Sequence, residues 1–293
     1  GLRGGGFDVL VFERIGVFAW WIILAGLCLA VLPARRLSKL AWVTVVLLAA
    51  FVLWTALSLS WSDSPDKTMT EVARVATYLG VFLLAVFARS SRSARRMTSA
   101  VAAAIVLIAT VALLSRLHPS WFPEAADTGK VLVEVANRLS YPIGYWNGLG
   151  ALIAIGLTLL LNSASTARTS VMRSAGTAFL PVLLLTLYFT LSRGSFLACV
   201  LALVIYFVLV PDRLPKAMTM LAGAIGGGIL IGVASQQSAL ADGLLNSTAR
   251  DQGTTLLVVT IVVVLATGAA HFATSRLLTG KPRPGWTQPG RRQ

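Results

Sequence analysis

Apolar runs long enough to cross a lipid bilayer recur along this chain almost from end to end, and that repetition fixes its class. A crossing takes about 20 residues, within a range of roughly 17–25. Inside the hydrocarbon every backbone N–H and C=O must find a partner within the protein. Nine runs stand at about 15–33, 40–60, 75–88, 97–115, 147–162, 175–191, 195–210, 217–234 and 254–272. Several are short and are expected to extend into their flanks. Hydrophobic residues make up 56% of the 293 positions and charged residues only 12%, a balance no soluble domain of this size would show. The expectation is an all-α, polytopic helical membrane protein with about nine transmembrane helices. Residues 1–280 are expected to form the transmembrane helical domain, and 281–293 a cytoplasmic linker or tail rich in Pro, Gly and Arg.

The basic residues give an orientation. Numbering the loops alternately puts 34–39, 89–96, 163–174, 211–216 and 273–293 on one side, with 16 of the 25 Lys and Arg and a single acid, Asp212. Positive loops face the cytoplasm, so the C-terminus is expected there. The net charge of +14 is thereby a topology signal and calls for no nucleic-acid partner. Nine spans then leave Gly1 outside. With no initiating Met and a start of Gly-Leu-Arg-Gly-Gly-Gly, the chain reads as a piece of a longer protein.

Soluble-enzyme chemistry has no signature here. Cys28 and Cys199 fall inside apolar runs, and His118 and His271 make no metal-spaced cluster with carboxylates. No metal or cofactor is implied. His271 is expected at the cytoplasmic end of a span.

Polar and aromatic residues concentrate instead where the chain enters the bilayer. Arg138-Leu-Ser-Tyr-Pro-Ile-Gly-Tyr-Trp-Asn-Gly-Leu-Gly150 leads straight into the run 151–161. Polar groups at that depth cost several kcal/mol, roughly, unless partnered, and an anion at the membrane surface would partner them. Arg193 interrupts Ala175–Val210, a stretch of 36 residues. As one helix it would run roughly 54 Å against a hydrocarbon core of about 30 Å. The chain must therefore reverse at Ser192-Arg193-Gly194, which puts a cation beside a helix N-terminus, a favourable arrangement for phosphate. Arg138 falls on the same side, and paired arginine forks suit bidentate phosphate recognition. Tyr145 and Asn147 can add neutral donors. Trp61, Trp121, Tyr141, Tyr145 and Trp146 suit an interfacial aromatic belt, and Trp121, Tyr141 and Trp146 are also candidates for stacking on sugar rings.

The order of Leu59-Ser-Trp61-Ser, then Arg138-x-x-x-Pro142-x-Gly144-Tyr145-x-Asn147, then Ser192-Arg193-Gly194 resembles the O-antigen ligase and polymerase family of bacterial envelope glycan enzymes, over about residues 40–210. The resemblance implies a glycosyltransferase-C-like helical fold in the bacterial cytoplasmic membrane, acting at its outer face on an undecaprenyl-diphosphate-linked glycan. It implies a lipid-diphosphate site of Arg138, Arg193, Tyr145, Asn147 and Ser192, and no cofactor. The glycan and its acceptor are left open.

The chain also departs from that family, whose members carry a large external loop with a further arginine and a functional histidine. Here the external loop 235–253 lacks histidine, and His118 precedes the Arg138 motif. The expectation is a fragment, inactive alone, whose catalytic loop lies beyond Gln293. Glu124, Asp127 and Glu134 read as a solvated acidic loop, so no general base is nominated. A multi-span transporter or lipid-linked sugar flippase stays open as the alternative. Such proteins usually carry ionisable groups within their spans, and this sequence places essentially none there. The glycines at 223, 226, 227, 228 and 232 read as helix-packing positions.

Overall fold

The computed structural model describes residues 9–29, 38–87, 91–122, 137–244 and 246–279. The tail at 281–293, the opening glycines, Arg35, Arg36, Arg89, Glu124, Asp127 and Glu134 lie outside the described residues. The described residues are helical, with no strand. The helices are α1 (Val9–Cys28), α2 (Lys39–Leu57), α3 (Pro65–Phe87), α4 (Ser91–Leu117), α5 (Trp146–Thr166), α6 (Ser170–Ala178), α7 (Leu180–Phe189), α8 (Arg193–Leu209), α9 (Arg213–Ser235), α10 (Ser238–Ala241) and α11 (Ser247–Thr279). Short 3₁₀ turns follow α2 at Ser58–Trp61 and α4 at Pro119–Trp121.

Seven stretches among the described residues are long and apolar enough to cross a membrane: Lys39–Trp61, Pro65–Phe87, Arg95–Leu117, Trp146–Thr166, Ser170–Phe189, Arg213–Ser235 and Ser247–Leu277. α8 is apolar but has only 17 residues. The protein is a helical, multi-pass membrane protein.

α3 and α11 extend furthest beyond their apolar runs. The run 75–88 is the second half of α3, which starts ten residues earlier at Pro65, where proline suits the first helical position. The expected external loop 235–253 shrinks, because α11 starts at Ser247. There the Asn246 side chain accepts the Ala249 N–H at 2.8 Å, capping the helix.

The chain divides into two compact units, Arg3–Met97 and Thr98–Gln293. In the first, α1 and α2 both pack on α3. Trp20 Nε1 donates to Ala76 O at 3.1 Å, and Gly80 lets that indole lie close. α2 buries no residue and exposes Trp42, Leu47, Phe51, Leu53 and Trp54, as a helix surrounded by acyl chains does.

In the second unit α5 is the central helix, packed on α6, α7, α8 and α9. Leu149, Ile153, Leu157 and Leu161 recur at every fourth position and are fully buried, the spacing that keeps side chains on one helix face. Around them lie Ala109, Ala112 and Leu113 of α4, Leu183 and Leu185 of α7, Leu230 of α9 and Leu256 of α11. In lipid, helix association comes from close packing and hydrogen bonds more than from apolar burial. Gly223, Gly226 and Gly227 of α9 provide that closeness, for Leu180, Pro181 and Leu184 stand where their β-carbons would be, while Gly228 and Gly232 face open space. α9 itself is unbroken. The run 175–191, by contrast, is two helices joined at Phe179, because Pro181 has no N–H to continue the ladder.

His271 is a correction. α11 continues to Thr279, so the imidazole lies two turns inside it, nine-tenths buried. Its Nδ1 is 3.3 Å from Ser174 Oγ and its Nε2 is 3.2 Å from Thr219 Oγ1. Thr219 also donates to Pro215 O at 2.9 Å. The ring thus joins α6, α9 and α11.

Candidate anion site where α5 and α8 begin

The α7–α8 reversal is built by residues 190–192. Leu191 takes the left-handed conformation, φ 49°, at a cost of roughly 1–2 kcal/mol for a residue with a side chain. Thr190 Oγ1 accepts the Ser192 N–H at 3.3 Å. Ser192 then turns extended and its Oγ accepts the Ser195 N–H at 3.1 Å, capping α8. Arg193 and Gly194 are therefore the first residues of α8 and not part of the turn expected from sequence. Arg193 is exposed, and a β-carbon on Gly194 would meet nothing within 4 Å, so the face above this helix end is open.

α5 starts after a tight segment in which Ser140 O accepts from both Ile143 N (3.0 Å) and Gly144 N (2.9 Å). Gly144 supplies the positive φ of 81° that the turn requires. The Tyr141–Pro142 peptide is cis. Tyr145 is the N-cap residue and makes no side-chain cap bond. The first N–H groups of α5, Trp146 to Gly148, thus keep the partial positive charge of a helix N-terminus.

These two helix starts abut. Ser192 Oγ lies 2.7 Å from Asn147 Oδ1 and 2.8 Å from Ser195 Oγ, and its single proton serves one at a time. Ser195 Oγ also reaches Asn147 O at 3.2 Å. Asn147 Nδ2 donates to Tyr145 OH at 2.8 Å. Gly150 permits the approach, since a β-carbon there would stand 2.5 Å from Ser195 Oγ. Arg138 lies over the Trp146 ring, Cζ to centroid 5.2 Å. Among the described residues neither Arg138 nor Arg193 has an acidic partner in an ion pair. A chain of contacts therefore runs Arg138–Trp146, Tyr145–Asn147, Asn147–Ser192, with Arg193 next in sequence. The arrangement offers cations, hydroxyls and two helix N-termini to a phosphate-like anion.

The Ser192 hydroxyl has two jobs here, and Ser192→Ala is expected to lower stability by about 1 kcal/mol through loss of the cap. Ser192→Thr, which keeps the hydroxyl, is expected to retain most of it. Thermal midpoints in detergent check this; an alanine variant melting with the wild type would show the cap to be idle.

The aromatic candidates divide. Trp146 has one face covered by Arg138 and lies against Tyr145 at 5.2 Å. Tyr141 packs on Phe122, 5.6 Å between centroids. Trp121 is 60% exposed and stacks on His118 at 4.3 Å and 15°. Trp121 and Tyr141 therefore sit on neighbouring segments.

Sequence reading missed Thr190, Ser195 and Arg116. Ser195 had a local signal, Ser-x-x-Ser at a helix start. Arg116 had none, since it looks like any cation closing a span. Among the described residues no group of three or more His, Cys, Asp or Glu could hold a metal ion. Comparison with known protein families, curated proteins and solved structures finds no match to this chain.

Proposed function

We propose that this protein takes part in cell-envelope polysaccharide synthesis, transferring or polymerising glycan from an undecaprenyl-diphosphate-linked donor at the outer face of a bacterial cytoplasmic membrane. One observation carries the reading: the starts of α5 and α8 are stitched together by Asn147, Ser192 and Ser195, with Arg138 and Arg193 beside them. Glycosyl transfer from a lipid diphosphate leaves negative charge on the departing diphosphate. Fixed cations and helix N-termini stabilise such charge by the electrostatic logic of an oxyanion hole. Tyr145, Asn147 and Ser192 add neutral groups, and Trp121 offers an exposed ring to a sugar.

In this reading α1 and α8 complete nine spans of a glycosyltransferase-C-like fold. The end of the second unit that carries Arg168, Arg173, Arg213, Lys216 and Arg276 faces the cytoplasm, together with the C-terminus. A chain order similar to that of the O-antigen ligase and polymerase family supports the same assignment.

The test is binding of undecaprenyl diphosphate to the purified protein, wild type against Arg138→Ala and Arg193→Ala. Each variant is expected to lose a factor of ten or more, about 1.4 kcal/mol. Saturable binding that neither substitution changes would return both arginines to interfacial anchoring.

A second reading, a transporter or lipid-linked sugar flippase, is favoured by His271, an ionisable side chain buried within a membrane-spanning helix. Its two ring nitrogens are engaged by Ser174 and Thr219, which suits a fixed joint between helices better than a relay. Translocation of an unaltered substrate in proteoliposomes, lost in His271→Ala, would put this reading first.

A further inference from the structure

Arg116, in the last turn of α4, is a buried cation that bonds to the main chain of two other segments. It is only 9% exposed. Its Nη2 donates to Asn137 O at 2.8 Å and to Ala241 O at 2.7 Å. Its Cζ stands 5.6 Å from the centre of the Phe189 ring. Asn137 immediately precedes Arg138. Leu139, on the other side of Arg138, donates its N–H to Phe189 O at 2.8 Å.

Arg138 is thus bracketed by two main-chain tethers, one on each neighbouring residue. Both converge on the Arg116–Phe189 contact, and Phe189 is the last residue of α7, three positions before Ser192. Within the segment Ser140 O accepts from Ile143 N and Gly144 N, and Leu139 and Ile143 pack on the core beside it. A planar guanidinium that donates along two directions can hold two carbonyls in one plane, which a lysine point charge cannot.

We propose that Arg116 is the positioning residue of the anion site. It fixes where Arg138 stands relative to the α7–α8 turn, and so sets the separation of the two arginines that a diphosphate would bridge. The ligand part of this proposal rests on the diphosphate reading above; the tether does not.

The experiment uses the full chain in lipid nanodiscs with two readouts, hydrogen exchange of the peptide covering 137–145 and affinity for undecaprenyl diphosphate. Arg116→Gln is expected to raise exchange at Leu139 at least tenfold, to leave α5 and α7 protected, and to weaken diphosphate binding about tenfold. Arg116→Lys, which keeps the charge and three donors but not the fixed plane of the guanidinium, is expected to show both changes at a smaller size. Wild-type exchange over 137–145 in Arg116→Gln would overturn the tether. Raised exchange with unchanged affinity would overturn its role in placing Arg138. If Arg116→Gln fails to fold, Arg116→Lys decides by the same two criteria. Absence of diphosphate binding by the wild type would instead sink the ligand reading, and the exchange data would still test the tether.

Discussion

Gly253→Ala is expected to destabilise the second unit by about 3 kcal/mol or more. Gly253 lies in the second turn of α11, directly against the carbonyl of Leu117 at the end of α4. A β-carbon there would overlap the Leu117 carbonyl oxygen, and both partners are main chain. A crowded side chain can swing away, but here one helix must move as a body. Overpacking usually costs about 1–3 kcal/mol, and more when nothing can relax. The control is Gly228→Ala on α9, where an added β-carbon meets nothing within 4 Å. That change is expected to be neutral or to stabilise by up to about 1 kcal/mol, through helix propensity. Thermal midpoints of both variants in the same detergent settle it. Equal midpoints would mean that α4 and α11 are not held at Leu117 and Gly253.

The double variant Arg138→Ala/Arg193→Ala should show the largest functional effect. If each arginine contributes a factor of ten, both together cost about a hundredfold in undecaprenyl diphosphate affinity, roughly 2.7 kcal/mol. The cycle tells more than the sum. Two arginines on one bridging diphosphate act on the same ligand, and contacting groups typically show coupling energies of about 0.5–3 kcal/mol. A double variant equal to the worse single variant would mean that one arginine works only through the other. A full hundredfold with no coupling would describe two independent phosphate contacts. Singles and double all within twofold of wild type would remove the diphosphate from this site. Arg193, exposed at the start of α8, is expected to lose more of its effect in high salt than Arg138 on its indole, because exposed charges are screened most.

Much of this architecture could be read from the chain, because membrane spans are written locally. The apolar runs are continuous in sequence, although the break between α6 and α7 within the run 175–191 was not read from Pro181. The impossibility of a 36-residue span forces a reversal near Ser192. The site was half legible for the same reason. Arg138, Tyr145, Asn147, Ser192 and Arg193 stand out as polar residues at bilayer entrances. What joins them is not written locally. The Ser192–Asn147 bond links residues 45 positions apart, and Arg116 reaches Ala241 across 125. Those partners are a hydroxyl, an amide and a backbone carbonyl, groups that recur everywhere and carry no pattern. His271 was misplaced through a different cause. The span was ended with its apolar run at 272, whereas α11 continues to Thr279.

The shortness of α8 bears on its far end. Its 17 residues span about 25 Å at 1.5 Å per residue, whereas α5, with 21 residues, matches the roughly 30 Å hydrocarbon thickness. A helix that falls short thins the bilayer locally or draws its flanking residues inward. The start of α8 is bonded to the start of α5 through Asn147, Ser192 and Ser195, so the two starts share one depth and the shortfall falls at the Leu209 end. At that end Arg213 Nη2 donates to Val208 O and Lys216 Nζ to Pro211 O, so the flanking chain drawn inward brings cations that already hold its carbonyls.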